Sequence, residues 1–128
     1  MAKSQFIGLD DQSTINLFLP SNNTAERFAI SKIITRLKRK YMGLTYSRIA
    51  QPVFVGYWRK PLRGGKYQWI RDEIALVFID TTGDLDNILF IDSLVGLKKM
   101  INDEYRKATG KRQGEIWIIV REGYRVVG

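Results

Sequence analysis

Residues 74–79, Ile-Ala-Leu-Val-Phe-Ile, are apolar at every position. Successive side chains of a strand point to opposite faces of its sheet. A strand wet on one side would alternate apolar with polar residues, so this run demands cover on both sides and predicts a central strand. Asp80-Thr81-Thr82-Gly83-Asp84 ends it as a turn. A second near-continuous apolar run, Glu-Ile-Trp-Ile-Ile-Val at 115–120, predicts a second such strand. Gly123 is expected to break or bulge it, with 124–127 as a continuation.

Ile15, Leu17 and Leu19 alternate along a further strand that Pro20 closes. Asp10-Asp11-Gln12-Ser13 reads as a turn before it, which would make residues 6–19 a short N-terminal hairpin. Asn23 followed by Glu26 has the spacing of a capping box. Phe28, Ile30, Ile33, Ile34, Leu37 and Tyr41 then recur at helical spacing, with Gly43 as the residue that stops the helix. Residues 44–51 read as a loop or a short extended piece, and Pro52 disfavours helix at Gln51. A second helix is expected from Asp84 or Asp86 to Gly110. Its apolar stripe comprises Leu85, Ile88, Ile91, Leu94, Val95, Leu97, Ile101 and Tyr105. The other option is a short extended piece at 88–91 with a later cap at Asp92 or Ser93.

Between the helices lies a long hairpin, with arms 53–60 and 67–79. Gly64-Gly65 can supply the positive φ angles of a tight turn. Centred there, the turn pairs Arg63 with Lys66, Lys60 with Trp69 and Trp58 with Arg71. Paired residues share a face. One face of the outer hairpin would then be Trp58, Lys60, Leu62, Tyr67, Trp69 and Arg71. The other, nearer the body, would be a core face of Val53, Val55, Tyr57, Ile74, Leu76 and Phe78.

The element order is βαββαβ, the split-βαβ order of a ferredoxin-like α+β fold: an antiparallel sheet with two helices on one face. The 128 residues fit a single domain, and a 45% hydrophobic composition suits a packed core. The sheet face away from the helices is expected to expose Phe54, Ala75, Val77, Ile79 and one side of 116–120. That is too apolar to leave wet. Either the N-terminal segment covers it or a second copy does, and the expected partner is a second subunit in a homodimer.

Charge is segregated along the chain. Residues 27–71 hold twelve Lys and Arg and no acid, while the whole molecule nets +8. Such segregation points to an anionic partner, and nucleic acid is the first candidate. Phosphates need Lys and Arg, and unpaired bases need rings to stack on. The candidate site is therefore Arg36, Arg39 and Lys40 on the first helix, with Trp58, Lys60, Arg63, Lys66, Tyr67, Trp69 and Arg71 on the hairpin. Tryptophans and arginines on a hairpin are also ordinary cross-strand packing. The second candidate is a dimeric assembly or adaptor protein without catalytic activity.

Catalysis has little to work with. The chain has no Cys and no His, which removes thiolate chemistry, Ser-His-Asp arrangements and the usual zinc sites. Asp72, Glu73, Asp80 and Glu115 lie at strand ends. Asp72 and Asp80 fall at opposite ends of one arm, too far apart to share an ion. Gly64-Gly65-Lys66 lacks the spacing of a phosphate loop. No cofactor and no metal are expected. No apolar run approaches the ~20 residues that span a bilayer, and no secretory h-region follows Met1. The expected setting is cytoplasmic.

Overall fold

The computed structural model describes residues 8–47, 54–81, 88–111 and 116–127, with the backbone alone at 8–12 and 122–127. Its elements are β1 (Gly8–Pro20), α1 (Thr24–Lys40), β2 (Gly43–Tyr46), β3 (Phe54–Pro61), β4 (Tyr67–Thr81), α2 (Ile88–Thr109) and β5 (Trp117–Val127). The sheet runs β2-β4-β1-β5 and every pairing is antiparallel. Ile74 of β4 pairs with Pro20 of β1 and with Phe54 of β3, so β3 lies on the same edge of β4 as β2. The two are one interrupted strand, and the order is that of the ferredoxin-like α+β fold.

Residues 74–79 do form the covered part of a central strand. The strand on its inner side is β1, whose Ile15, Leu17 and Leu19 pair with Ile79, Val77 and Ala75. These six side chains are buried against Ala29, Ile30, Ile33, Ile34 and Leu37 of α1 and Phe90, Leu97, Ile101 and Tyr105 of α2. The helix side of β4 is thus Ala75, Val77 and Ile79, the reverse of the expected phase. Both alternating sets of β4 are apolar, so its own pattern carries no phase. The phase is carried by β1, where Asn16 falls between Ile15 and Leu17.

Other expectations are corrected. Asp10-Asp11-Gln12-Ser13 is not a turn: β1 runs straight through it, pairing with Arg125, Tyr124, Gly123 and Glu122. That pairing outweighs local turn preference, and Gly123 interrupts nothing. The N-terminal segment from Gly8 onward therefore fills the sheet rather than covering it. Asn23 caps α1 as expected, its Oδ1 accepting from the Glu26 N–H at 2.9 Å. Glu26 in return accepts from the N–H of Asn22 at 2.8 Å, one residue earlier than a regular capping box. Gly43 does not stop the helix; Tyr41 caps it in extended conformation, its N–H donating to the Leu37 carbonyl, and Gly43 opens β2. Phe28 is exposed beneath Lys32, 5.2 Å from its ring, instead of joining the core. On α2 the stripe divides: Leu97, Ile101 and Tyr105 face the core, while Ile88, Ile91 and Val95 face outward. Gly110, at φ 74°, ends α2 as expected. Leu85, Glu115 and residues 48–53 lie outside the described residues.

One buried polar contact ties the ends of the core together. The Tyr105 hydroxyl, fully buried, donates to the Pro20 carbonyl at 2.7 Å. Burial, with Glu26 and Asp72 nearby, pushes its ionisation far above the usual range, so it stays a donor throughout ordinary pH. Removing only that hydroxyl in Tyr105→Phe is expected to cost about 1–3 kcal/mol, because the buried carbonyl loses its donor. Urea unfolding should show a lower midpoint at unchanged slope. An unshifted midpoint would mean that Pro20 finds another donor.

Candidate nucleic-acid interface and sheet face

The N-terminal half of β4 leaves the sheet with β3 as its sole described neighbour, so residues 54–73 form a two-stranded ribbon. The ribbon is held at its base by the β1–α1 connection. Ser21 N–H donates to the Glu73 carbonyl at 2.7 Å, and the Asn22 side chain accepts from the Glu73 N–H while donating to Asp72. At the tip, Gly64 and Gly65 both take positive φ, as the turn requires. They sit within a five-residue loop, however, closed by the Leu62 N–H donating to the Lys66 carbonyl at 2.9 Å.

That loop shifts the pairing by one residue from the expected register. Arg59 pairs with Trp69, Tyr57 with Arg71, Lys60 with Gln68 and Trp58 with Ile70. The physical reason is Pro61. A two-residue turn would put Pro61 in a hydrogen-bonded pair, for which it has no N–H. In the observed register Pro61 pairs with Tyr67, beside the bonded Leu62–Lys66 closure, and the missing donor is harmless.

The shift separates the expected site residues. Tyr57, Arg59, Tyr67, Trp69 and Arg71 share the outer face. Trp58 and Lys60 lie on the inner one. Outside, Tyr57 is 59% exposed, Tyr67 52% and Trp69 57%. The Arg59 guanidinium lies 4.8 Å from the Tyr67 ring and 5.8 Å from that of Trp69, and the two rings meet edge to face. Arg71 makes a loose ion pair with Glu73 at 3.8 Å. Arg63 and Lys66 are exposed at the tip. Tyr57 and Arg59 take the places on this face that the expected register gave to Trp58 and Lys60; the Pro61 hydrogen-bonding constraint was the signal that could have shown it.

Inside, Trp58 stacks on Trp117 of β5, ring centroids 4.8 Å apart. In a flat sheet these residues would stand on the order of 25 Å apart, given ~3.4 Å per residue and ~4.8 Å between strands. The ribbon must therefore bend over the sheet face that the helices leave open, in keeping with the strong twist of two-stranded ribbons. That face carries Phe18, Leu76, Phe78, Trp117 and Ile119, half-buried or exposed, together with buried Asn16 and Ile74. Its cover is partly the ribbon, which was neither of the two expected covers.

The α1 candidates stand apart from the ribbon. Arg36 is bonded to Glu104 of α2 at 3.1 Å, a helix-to-helix tie that Lys107 also flanks. Lys40 reaches Ser93 at 3.4 Å and lies over Tyr41. Arg39 is exposed. Asp72 lies in the middle of β4 and Asp80 near its end, on the order of 27 Å apart at ~3.4 Å per residue, and among the described residues no three carboxylates gather as a metal site. No described helix is long and apolar enough to cross a membrane.

No family model matches the chain, and neither does any curated protein. Among solved structures it is similar to the one titled "Structure of B. subtilis GlnK", at 16% identity and TM-score 0.42, over 88% of this chain and 85% of that one. It is also similar to the de novo designed protein Foldit4, at 17% identity and TM-score 0.39, over 89% of this chain and 97% of that one.

Proposed function

We propose that the protein is a non-catalytic assembly module that pairs with a second copy through its helix-free sheet face. The observation that carries this reading is the apolar surface of Phe18, Phe78, Trp117 and Ile119, which the ribbon covers in part only. Charge supports the geometry. The helix layer on the opposite side carries ten Lys and Arg against four acids. Two copies meeting sheet to sheet keep these like charges apart, whereas meeting by the helices would oppose them. The test is sedimentation of the protein at tens of micromolar, alongside Ile119→Lys on the edge strand β5 and Val95→Lys on the outer face of α2. A dimer that Ile119→Lys alone dissociates supports the reading. A monomeric parent, or a dimer broken only by Val95→Lys, overturns it.

A second reading, contact with nucleic acid, is favoured by a different observation: three aromatic side chains more than half exposed beside two arginines on the ribbon. A monomer could carry out this function, and salt would weaken it steeply.

A further inference from the structure

We infer that the two faces of the ribbon have separate tasks: the inner face anchors it and the outer face stacks the bases of single-stranded nucleic acid. The inference rests on the nucleic-acid reading and says where, how and to which form the protein would bind. Exposed Tyr and Trp rings in neighbouring positions suit consecutive unpaired bases, because every base has a π-face. A duplex hides those faces, so single strands are the ligand class. Arg59 already occupies one side of this aromatic pair as a cation–π partner. An arriving base takes over the ring, and the guanidinium, on its flexible stem, turns to the adjoining phosphate. Arg71 at the base and Arg63 and Lys66 at the tip place further positive charge along the same ribbon. Among the described residues, Glu73 at the ribbon's root is the carboxylate paired with this charge, through Arg71.

The platform needs to be held still, and the other face does that. Trp58 is not itself a base-stacking residue, because its ring is engaged with Trp117. It is a positioning residue: it fixes the bend of the ribbon and hence the direction in which Trp69 and Tyr67 point. Binding read from rings and arginines alone would therefore have a geometric dependence on a tryptophan that never touches the ligand.

The experiment is fluorescence anisotropy with a labelled oligo-dT strand and a labelled duplex of the same length, at two salt concentrations. Expected is preference for the single strand, with no demand for a particular base. Trp69→Ala should weaken binding about ten- to a hundredfold, the loss of one stacking ring, while Trp69→Phe retains most of it. Arg59→Ala should lower the slope of log affinity against log salt by about one. Trp58→Ala should weaken binding while leaving that slope unchanged. Circular dichroism and thermal melting confirm that the Trp69 variants stay folded, as the exposure of that ring implies. Equal affinity for the duplex overturns the inference, as does displacement of the strand by poly-glutamate at matched charge. If Trp69→Ala changes nothing while Arg39→Glu with Lys40→Glu abolishes binding, the ribbon assignment fails and the nucleic-acid reading survives. If the parent binds neither strand at low salt, both fail.

Discussion

Leu97→Ala is expected to destabilise the protein by about 2–5 kcal/mol, whereas Val95→Ala, two positions away on the same helix, stays within about 0.5 kcal/mol. Leu97 is buried between α2 and the sheet, and truncation leaves a cavity that its neighbours fill only in part. Val95 is 67% exposed, so its methyl groups lose nothing on leaving. Chemical denaturation of both variants measures the difference directly. Equal losses would mean that α2 is rotated, with Ile88, Ile91 and Val95 facing the core. A stabilising Val95→Ala is no surprise, because Ala has the higher helix propensity.

An effect as large as that of Tyr105→Phe belongs to Gly56. It has ordinary negative φ, so the demand on it is one of space rather than backbone conformation. A Cβ there would stand 2.4 Å from Cδ1 of Ile74 and 2.7 Å from the Trp58 ring. The Ile74 methyl ends a flexible side chain, but the Trp58 ring is stacked on Trp117, so moving it disturbs that stack. Gly56→Val is therefore expected to cost about 1–3 kcal/mol through overpacking. A probe of local geometry separates this from general destabilisation: the near-ultraviolet circular dichroism of the stacked indoles should fall even well below the melting temperature. A full indole signal with unchanged stability would mean that the ribbon relaxes around the new side chain.

Much of the architecture could be read from the residues because it rests on short-range signals. Asn23, Glu26 and Gly110 mark helix ends by the hydrogen bonds they can make or the φ they can adopt. The apolar run at 74–79 announces a strand with two covered faces, and the βαββαβ order leaves few ways to connect the elements. What the residues did not show is phase. Where both alternating sets of a strand are apolar, as in β4, nothing local says which one meets the helices. On α2 two overlapping apolar stripes competed, and tertiary contact chose Leu97, Ile101 and Tyr105. At the ribbon the two glycines were read correctly as positive-φ residues, but the pairing depended on the missing donor of Pro61. The expected shared face inherited that error: Trp58 lies on the inner face, and Arg59 and Tyr57 lie on the outer one. The α1 group was recognisable only as charge, and Arg36 turned out to be engaged with Glu104.

The length of β4 has a consequence for how this surface can change. One uninterrupted strand supplies both the ribbon's aromatic outer face and the core, and Tyr67, Trp69 and Arg71 share odd parity with Ala75, Val77 and Ile79. A single residue inserted or deleted between Arg71 and Ala75 would turn the aromatic rings inward while leaving the core in place. A changed side chain at an outer position, or a tip lengthened beyond Leu62 and Lys66, leaves that parity intact, whereas a changed residue count at the root does not. Length conserved there, beside variation at the tip, is the record such a strand would leave among relatives.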